Sequence, residues 1–137
     1  MLSIGTAAYL SGVHVETIRF YEREGVVPRP ARSRSGRRLY TTDDVVRLRF
    51  VRRCRKFGFP LAHIREMLDL ASYRDAPCAK VRAICERRLL DVRRERDEFV
   101  ALERDLRRML RLCGDADADC RLLDALLGDN DPSAAPD

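Results

Sequence analysis

Five cysteines are the residues of this 137-residue chain that could most readily bind a metal ion. Three of them mark the borders of segments. Cys78 begins a long run of helix-forming composition, Cys113 ends that run, and Cys120 follows after Gly114 and a short acidic loop. Thiolates are soft donors that select thiophilic metals over magnesium or calcium. The three thiols therefore predict a site for a thiophilic ion such as mercury, cadmium or lead.

The run between Cys78 and Cys113 cannot bring its two end cysteines to one ion within one chain. A continuous helix would separate them by about 50 Å, at about 1.5 Å per residue. An antiparallel pair of such helices places the start of one beside the end of the other. The spacing thus predicts two composite sites per homodimer, each with Cys78 of one subunit and Cys113 and Cys120 of the other.

The same run carries an apolar stripe of helical spacing, with charged residues at most of the remaining positions. Such a helix is not stable alone in water, because its apolar stripe needs burial. The stripe predicts a dimerisation coiled coil, and taken alone it favours cysteines that are incidental to the pairing. The positions of the cysteines at the start of the helix, at its end and just beyond the glycine favour a metal site instead. The regular part of the stripe consists of Phe99, Leu102, Leu106, Met109 and Cys113, and Cys85, Leu89 and Val92 extend it upstream.

The distribution of charge suggests the partner. Residues 1–74 contain fifteen Lys and Arg against seven Asp and Glu, whereas residues 75–137 contain twelve against fifteen. The basic half is a candidate for nucleic-acid binding. No secretory signal or membrane-spanning apolar run is visible, so we expect a cytoplasmic protein with no membrane partner. An odd number of cysteines in that reducing compartment argues for metal or redox chemistry over a disulfide framework.

The basic half has the pattern of a winged helix-turn-helix. A short helix follows Ser3 and ends at Ser11-Gly12, and a second runs from Glu16 to Glu24. The second helix presents side chains suited to phosphate and base-edge contacts, and a turn around Ser35-Gly36 between basic segments predicts a wing. The side chains of this kind on the second helix are Thr17, Arg19, Tyr21 and Arg23, and the first three are the candidate DNA-binding residues. The basic wing residues are Arg32, Arg34, Arg37 and Arg38.

Two further helices complete this half. Thr41 to Asp44 form an N-terminal cap for a third helix, and Pro60 begins a fourth. We interpret Cys54 and Cys85 as packing residues, and neither histidine as a ligand. The predicted segments are a DNA-binding domain over 1–74, a dimerisation helix over 75–113, a metal-binding loop and short helix over 114–128 and a flexible tail over 129–137. The core residues predicted for the third helix and its end are Val45, Val46, Leu48, Phe50, Val51 and Phe57.

The order of these motifs resembles the MerR family of bacterial transcription regulators over nearly the whole chain. The matching stretches are Ile4-Gly5, Gly12-Val13, Val15 to Glu22, Gly25, Arg38-Leu39-Tyr40, Asp44-Val45 and Phe57-Gly58-Phe59. The resemblance implies a mainly α fold, with a winged helix-turn-helix followed by a long antiparallel dimerisation helix and a short C-terminal metal-binding element. It places Thr17, Arg19 and Tyr21 on the recognition helix, and Arg38 and Tyr40 on the wing beside the DNA backbone; Arg37 is a further DNA-binding candidate by its charge. Many members of the family have an aromatic residue where this chain has Arg37.

The C-terminal half is similar to the metal-sensing branch of that family. Cys78 at the head of the helix indicates a divalent ion over monovalent copper or gold. The absence of histidine between Cys113 and Cys120 makes zinc a poorer fit. The resemblance implies a homodimer that distorts promoter DNA when the metal binds, so that RNA polymerase can engage it. Two alternatives stay open: a thiol-redox regulator that uses Cys113 and Cys120, and a structural zinc protein. We do not expect an enzyme, because no catalytic constellation is visible in the sequence.

Overall fold

The computed structural model describes residues 1–73, 78–114 and 120–129, and its backbone contacts define two compact units, Met1–Arg88 and Leu89–Asp137. The predicted boundary at residue 74 and most of the tail predicted for 129–137 fall outside the described residues. The elements in chain order are α1 (Ile4–Ser11), α2 (Val15–Arg23), β1 (Ala31–Arg32), β2 (Arg38–Leu39), α3 (Thr42–Lys56), α4 (Leu61–Ala71), α5 (Cys78–Cys113) and α6 (Arg121–Leu127). The predicted mainly α fold with a small wing is confirmed.

Local chemistry explains where the first helices begin and end. The Ser3 hydroxyl accepts a hydrogen bond from the Thr6 amide and caps α1, which ends at Gly12 with φ of 74°. At α3, the Thr41 hydroxyl accepts from the Asp44 amide while the Asp44 carboxylate accepts from the Thr41 amide. This reciprocal arrangement satisfies amides that have no partner inside the helix. The cap predicted at residues 41–44 is therefore present.

The wing is a two-stranded antiparallel hairpin that follows α2. Ala31 lies opposite Leu39, and Arg32 lies opposite Arg38. Beyond β2, the amides and carbonyls of Leu2 and Tyr40 exchange hydrogen bonds of 2.8 Å in both directions. The wing is thus fixed to the N-terminal end of the fold by backbone pairing.

The core of the unit Met1–Arg88 is assembled from α1 to α4 and the first turns of α5. Its largest fully buried side chains are Ile18, Leu48, Val51, Ile64 and Ile84. Two residues predicted for this core are not in it. Val46 is 59% exposed, because it lies on the side of α3 opposite the buried Leu48 and Val51. Phe57 is 71% exposed, because it follows the end of α3. The core prediction was wrong for these two positions.

The head of α5 is fixed to the α3–α4 region. Ile84 is 2% exposed, the Arg88 guanidinium donates from Nε to the Phe57 carbonyl at 2.9 Å, and Arg87 forms a 3.0 Å ion pair with Glu66 on α4. The first turns of α5 therefore belong to the same packed body as the helix-turn-helix.

The unit that starts at Leu89 contains the remainder of α5 and α6. The 36-residue helix α5 is continuous, as the sequence predicts. In the single chain its stripe faces solvent: Phe99 is 68% exposed, Leu102 50% and Leu106 49%. Apolar side chains repeated along one face of a helix need burial against a partner. Within the described part of the chain, no helix is both long enough and apolar enough to serve as a membrane span.

Candidate DNA-binding surface and metal-ligand cysteines

Helix α2 carries the predicted base-reading residues. Thr17 and Arg19 are half-buried, and the Arg19 Nη1 atom forms a 2.6 Å ion pair with the Glu16 carboxylate. Over the residues that the structure describes, the Arg19 Nε atom is buried without a hydrogen-bond acceptor. Buried polar atoms in folded proteins are nearly always paired. Arg19 therefore keeps hydrogen-bonding capacity that the chain itself does not use.

A buried glutamate joins α2 to the wing. Glu22 is 6% exposed, and the Tyr40 hydroxyl donates to its Oε1 atom at 2.5 Å. The Arg38 guanidinium forms an ion pair with the other carboxylate oxygen of Glu22, with Nε and Oε2 3.3 Å apart. Sequence reasoning did not identify Glu22, although an acidic residue among the basic side chains of a predicted recognition helix was the available signal. The network holds the wing at a defined position relative to α2.

The network also fixes the protonation state of Tyr40. Burial, followed by the hydrogen bond to Glu22 and the charge of Glu22, raises the pKa of Tyr40 above the ordinary tyrosine value. Because the folded chain binds this proton more tightly than the unfolded chain, the stabilising contribution is fully present below about pH 10. This stabilising contribution is lost as the pH rises from there through the raised pKa of Tyr40 in the folded chain.

We expect Tyr40→Phe to lower the free energy of unfolding by about 1–2 kcal/mol, because the substitution leaves a buried carboxylate oxygen without its donor. Urea unfolding at neutral pH measures the change, and an unaltered denaturant dependence would show that only stability has changed. The matched control is Tyr9→Phe, since Tyr9 is 86% exposed. Equal stability of the two variants would remove the Tyr40–Glu22 bond as a stabilising contact.

Basic side chains surround Glu22 and form a cleft between α2 and the wing. The Arg32 Nη1 atom donates to the Gly36 carbonyl at 2.8 Å and so holds the turn, while Arg37 is exposed. A concentration of guanidinium groups beside a helix of this kind is suited to phosphate oxygens. The cleft is lined by Arg19, Glu22, Arg23, Arg29, Pro30, Arg32 and Arg38.

Two predicted DNA-binding residues are placed in the core. Tyr21 is 7% exposed and Tyr40 is 2% exposed. Their burial favours a role in positioning α2 and the wing. A direct DNA contact by either ring stays a prediction.

The three predicted metal ligands are all free thiols. Cys78 is the first residue of α5 and is exposed, whereas Cys113, the last residue of α5, is half-buried. Cys120 is the N-cap of α6, where its Sγ atom accepts a hydrogen bond from the Leu123 amide at 3.4 Å. Gly114 follows Cys113 with φ of 55°, a left-handed conformation that favours glycine.

Three thiols would form an all-sulfur donor set, which suits a soft metal ion. The described residues of one chain contain no group of three or more His, Cys, Asp or Glu placed to hold a metal ion. The acidic residues of the loop, Asp115, Asp117 and Asp119, lie outside the described residues. The composite site across two subunits therefore stays a prediction.

Two protein-family models match this chain, and a known regulatory protein is similar to it over nearly its whole length. Residues 2–71 match the family model described as "MerR HTH family regulatory protein", and residues 45–109 match "MerR, DNA binding". The chain is 35% identical over 136 residues to a mercuric resistance operon regulatory protein of Serratia marcescens, covering 98% of this chain and 93% of that protein.

Two solved structures with bound metals are similar to this chain. One is the transcription regulator PbrR691 from Ralstonia metallidurans CH34 in complex with lead(II), with TM-score 0.78, 37% identity, and coverage of 92% of this chain and 99% of that one. The other is the dual function transcriptional regulator MerR from Bacillus megaterium MB1 in complex with mercury(II), with TM-score 0.67, 26% identity, and coverage of 89% and 95%.

Proposed function

This chain belongs to the MerR family of transcription regulators, and from that premise we propose that it activates a promoter in response to a thiophilic divalent metal of the mercury, cadmium or lead class. The observation that carries the proposal is the position of three free cysteines at the two ends of α5 and at the start of α6. Relatives described as a mercuric resistance regulator and as a lead(II) complex support this class of metal. The relatives are transcription regulators and not enzymes, and promoter DNA would be met in the cytoplasm.

DNA recognition in this proposal is divided between α2 and the wing. Thr17 and Arg19 read base edges or phosphates from α2, and Arg37 and Arg38 contact phosphates from the wing. Tyr21 and Tyr40 contribute by holding these elements in place. Contacts to phosphates position a protein on DNA, and contacts to base edges specify the sequence. A homodimer presents two such surfaces, so we expect a palindromic site in double-stranded promoter DNA.

Metal sensing in this proposal uses both subunits. Cys78 of one chain, together with Cys113 and Cys120 of the other, would hold the ion, and a bound ion would supply bonds that join the head of one α5 to the end of its partner. Cys78 lies in the same compact unit as the DNA-binding helices. A ligand shifts an equilibrium only by its differential affinity for two states. The two placements of the DNA-binding units would be those states.

Activation then requires a distortion of the promoter that lets RNA polymerase engage it. Deforming DNA over a site of this kind costs on the order of several kcal/mol. The thiols can offset that cost only if they converge better in the activating arrangement than in the metal-free one. Promoter transcription with the purified protein, titrated against mercury, cadmium, lead and zinc at fixed free thiol, tests this directly. Metal-independent promoter control would favour a structural zinc role, and induction by oxidant alone would favour a redox sensor.

We expect Arg38→Ala to weaken binding to all DNA sequences and to reduce the dependence of the logarithm of affinity on the logarithm of salt concentration by about one unit. The reason is the loss of one phosphate contact that releases a counterion. Fluorescence anisotropy over a salt series measures both effects. Arg93→Ala is the control, because it removes the same charge from an exposed position on α5.

Arg38 also pairs with Glu22, so a second comparison separates its two roles. Glu22→Gln removes the ion pair but keeps the Arg38 charge. An Arg38→Ala variant with an unchanged salt slope would place Arg38 outside the DNA interface, whereas a reduced slope that Glu22→Gln does not reproduce would support the phosphate contact.

A further inference from the structure

Two cysteines outside the proposed metal site line one cavity in the unit Met1–Arg88. Cys54 on α3 is half-buried and Cys85 on α5 is exposed, and both are free thiols. The cavity has a volume of about 420 Å³. Arg53 also reaches it, but most of its remaining wall is apolar or aromatic, including Phe50, Phe57, Phe59, Met67, Leu70 and Val81.

Both thiols line the wall of the same cavity, and burial and charge there affect the Cys54 thiol. Burial raises the pKa of the Cys54 thiol, and the charge of Cys85 raises it further. A neutral thiol is a weak nucleophile toward disulfides and oxidants, because the thiolate is the reactive species. The raised pKa of the Cys54 thiol therefore disfavours oxidation of the pair at neutral pH.

We propose that Cys54 and Cys85 form a dithiol site for a trivalent arylarsenical, in which arsenic binds both sulfurs and the aromatic ring occupies the apolar cavity. The reaction is a condensation of an arylarsonous acid, R–As(OH)₂, with two thiols. Two As–O bonds break, two As–S bonds form, and each thiol proton leaves with one hydroxide as water. Arsenic remains trivalent, so the step needs no oxidant or reductant.

The two thiol donors and the apolar wall of the cavity favour a trivalent arylarsenical as the ligand. Arsenic that already carries one carbon substituent needs only two sulfur ligands from the protein, which is the number that the cavity provides. An apolar cavity of about 150 Å³ is sufficient to hold benzene, and this cavity exceeds that volume. Phe57, which is not on the dimerisation stripe, is 71% exposed, so a ligand can enter the cavity from solvent beside its ring.

The test uses the full chain with Cys78, Cys113 and Cys120 all replaced by serine, which leaves Cys54 and Cys85 as its two cysteines. Phenylarsine oxide, which hydrates to phenylarsonous acid, is the probe; intact mass and titration of free thiols are the readouts. We expect one arsenic per chain with loss of both thiols, in an adduct that resists excess monothiol and is reversed by a dithiol.

Two variants and a second probe complete the design. In the same background, Cys85→Ser and Cys54→Ala should each abolish the monothiol-resistant adduct, and the exposed Cys85 position keeps the test valid if the Cys54 variant fails to fold. Inorganic arsenite should bind about tenfold or more weakly, because it has no ring to bury.

Three results would overturn the proposal. One is an adduct that persists without either cysteine. Another is equal binding of arsenite and phenylarsine oxide. The third is the absence of an adduct in the parent protein, whether because the sulfurs lie too far apart or because a second copy of the chain covers the cavity.

Discussion

Replacing any one of Cys78, Cys113 or Cys120 with serine is expected to abolish metal-induced transcription while leaving metal-free DNA binding nearly unchanged. A serine hydroxyl is a poor ligand for a soft ion, so the loss of one thiol removes most of the affinity. None of the three residues is on α2 or the wing. In vitro transcription from the regulated promoter measures induction, and a mobility shift measures binding. Cys54→Ser and Cys85→Ser are the matched controls, and both should retain induction.

The sharing of each site between two subunits has its own test. A Cys78→Ser chain mixed with a Cys113→Ser chain forms heterodimers in which one composite site loses two ligands and the other keeps all three. We expect these heterodimers to bind one metal ion tightly, although neither parent homodimer does. Equilibrium competition with a chelator would show it. If mixing restores no tight site, the three thiols do not combine across the subunit interface.

Replacing Leu102 and Leu106 together with aspartate is expected to convert the protein to a monomer that does not bind its operator. Both side chains are about half exposed in the single chain, which leaves apolar surface that a second subunit would bury. Burying a leucine stabilises an association by about 1.5–3 kcal/mol, and a symmetric interface loses each residue twice. Analytical ultracentrifugation measures the mass, and fluorescence anisotropy measures DNA binding.

The control for this prediction is Val100→Asp. Val100 is 60% exposed and faces away from the stripe on α5, so the aspartate should leave the dimer intact. Circular dichroism separates dissociation from unfolding. A double variant that remains dimeric would mean that the stripe is not the interface, and a folded monomer with full operator affinity would mean that DNA binding does not need the dimer.

Local signals in the sequence were sufficient to predict where these helices begin and end. Ser3 and Gly12 define the limits of α1, and the cap at Thr41 defines the start of α3, because each acts over a few residues of backbone. The long helix between Cys78 and Cys113 follows from composition and from an uninterrupted stripe. These features depend on residues that are close in sequence, so they can be predicted from the sequence alone.

Features that depend on contacts between residues far apart in sequence could not be predicted from local patterns. Glu22 meets Tyr40 across 18 positions, and no local pattern indicates that pairing. The exposure of Val46 and Phe57 is set by which face of α3 packs and by where the helix ends. The shared cavity of Cys54 and Cys85 arises only when α3 and α5 are brought together. In each case tertiary packing decides the outcome.

The attachment of the head of α5 to the α3–α4 region has a consequence for hydrogen exchange. Amides of residues 82–88 have hydrogen-bond acceptors within α5 and lie in the compact unit that contains Ile18, Leu48 and Ile64, so we expect them to exchange mainly through unfolding of that unit. Amides beyond Leu89 in a monomeric variant should exchange through smaller local openings. Cys78 lies in that same unit, so a ligand that pulled on the head of α5 would act on the body that carries α2 and the wing.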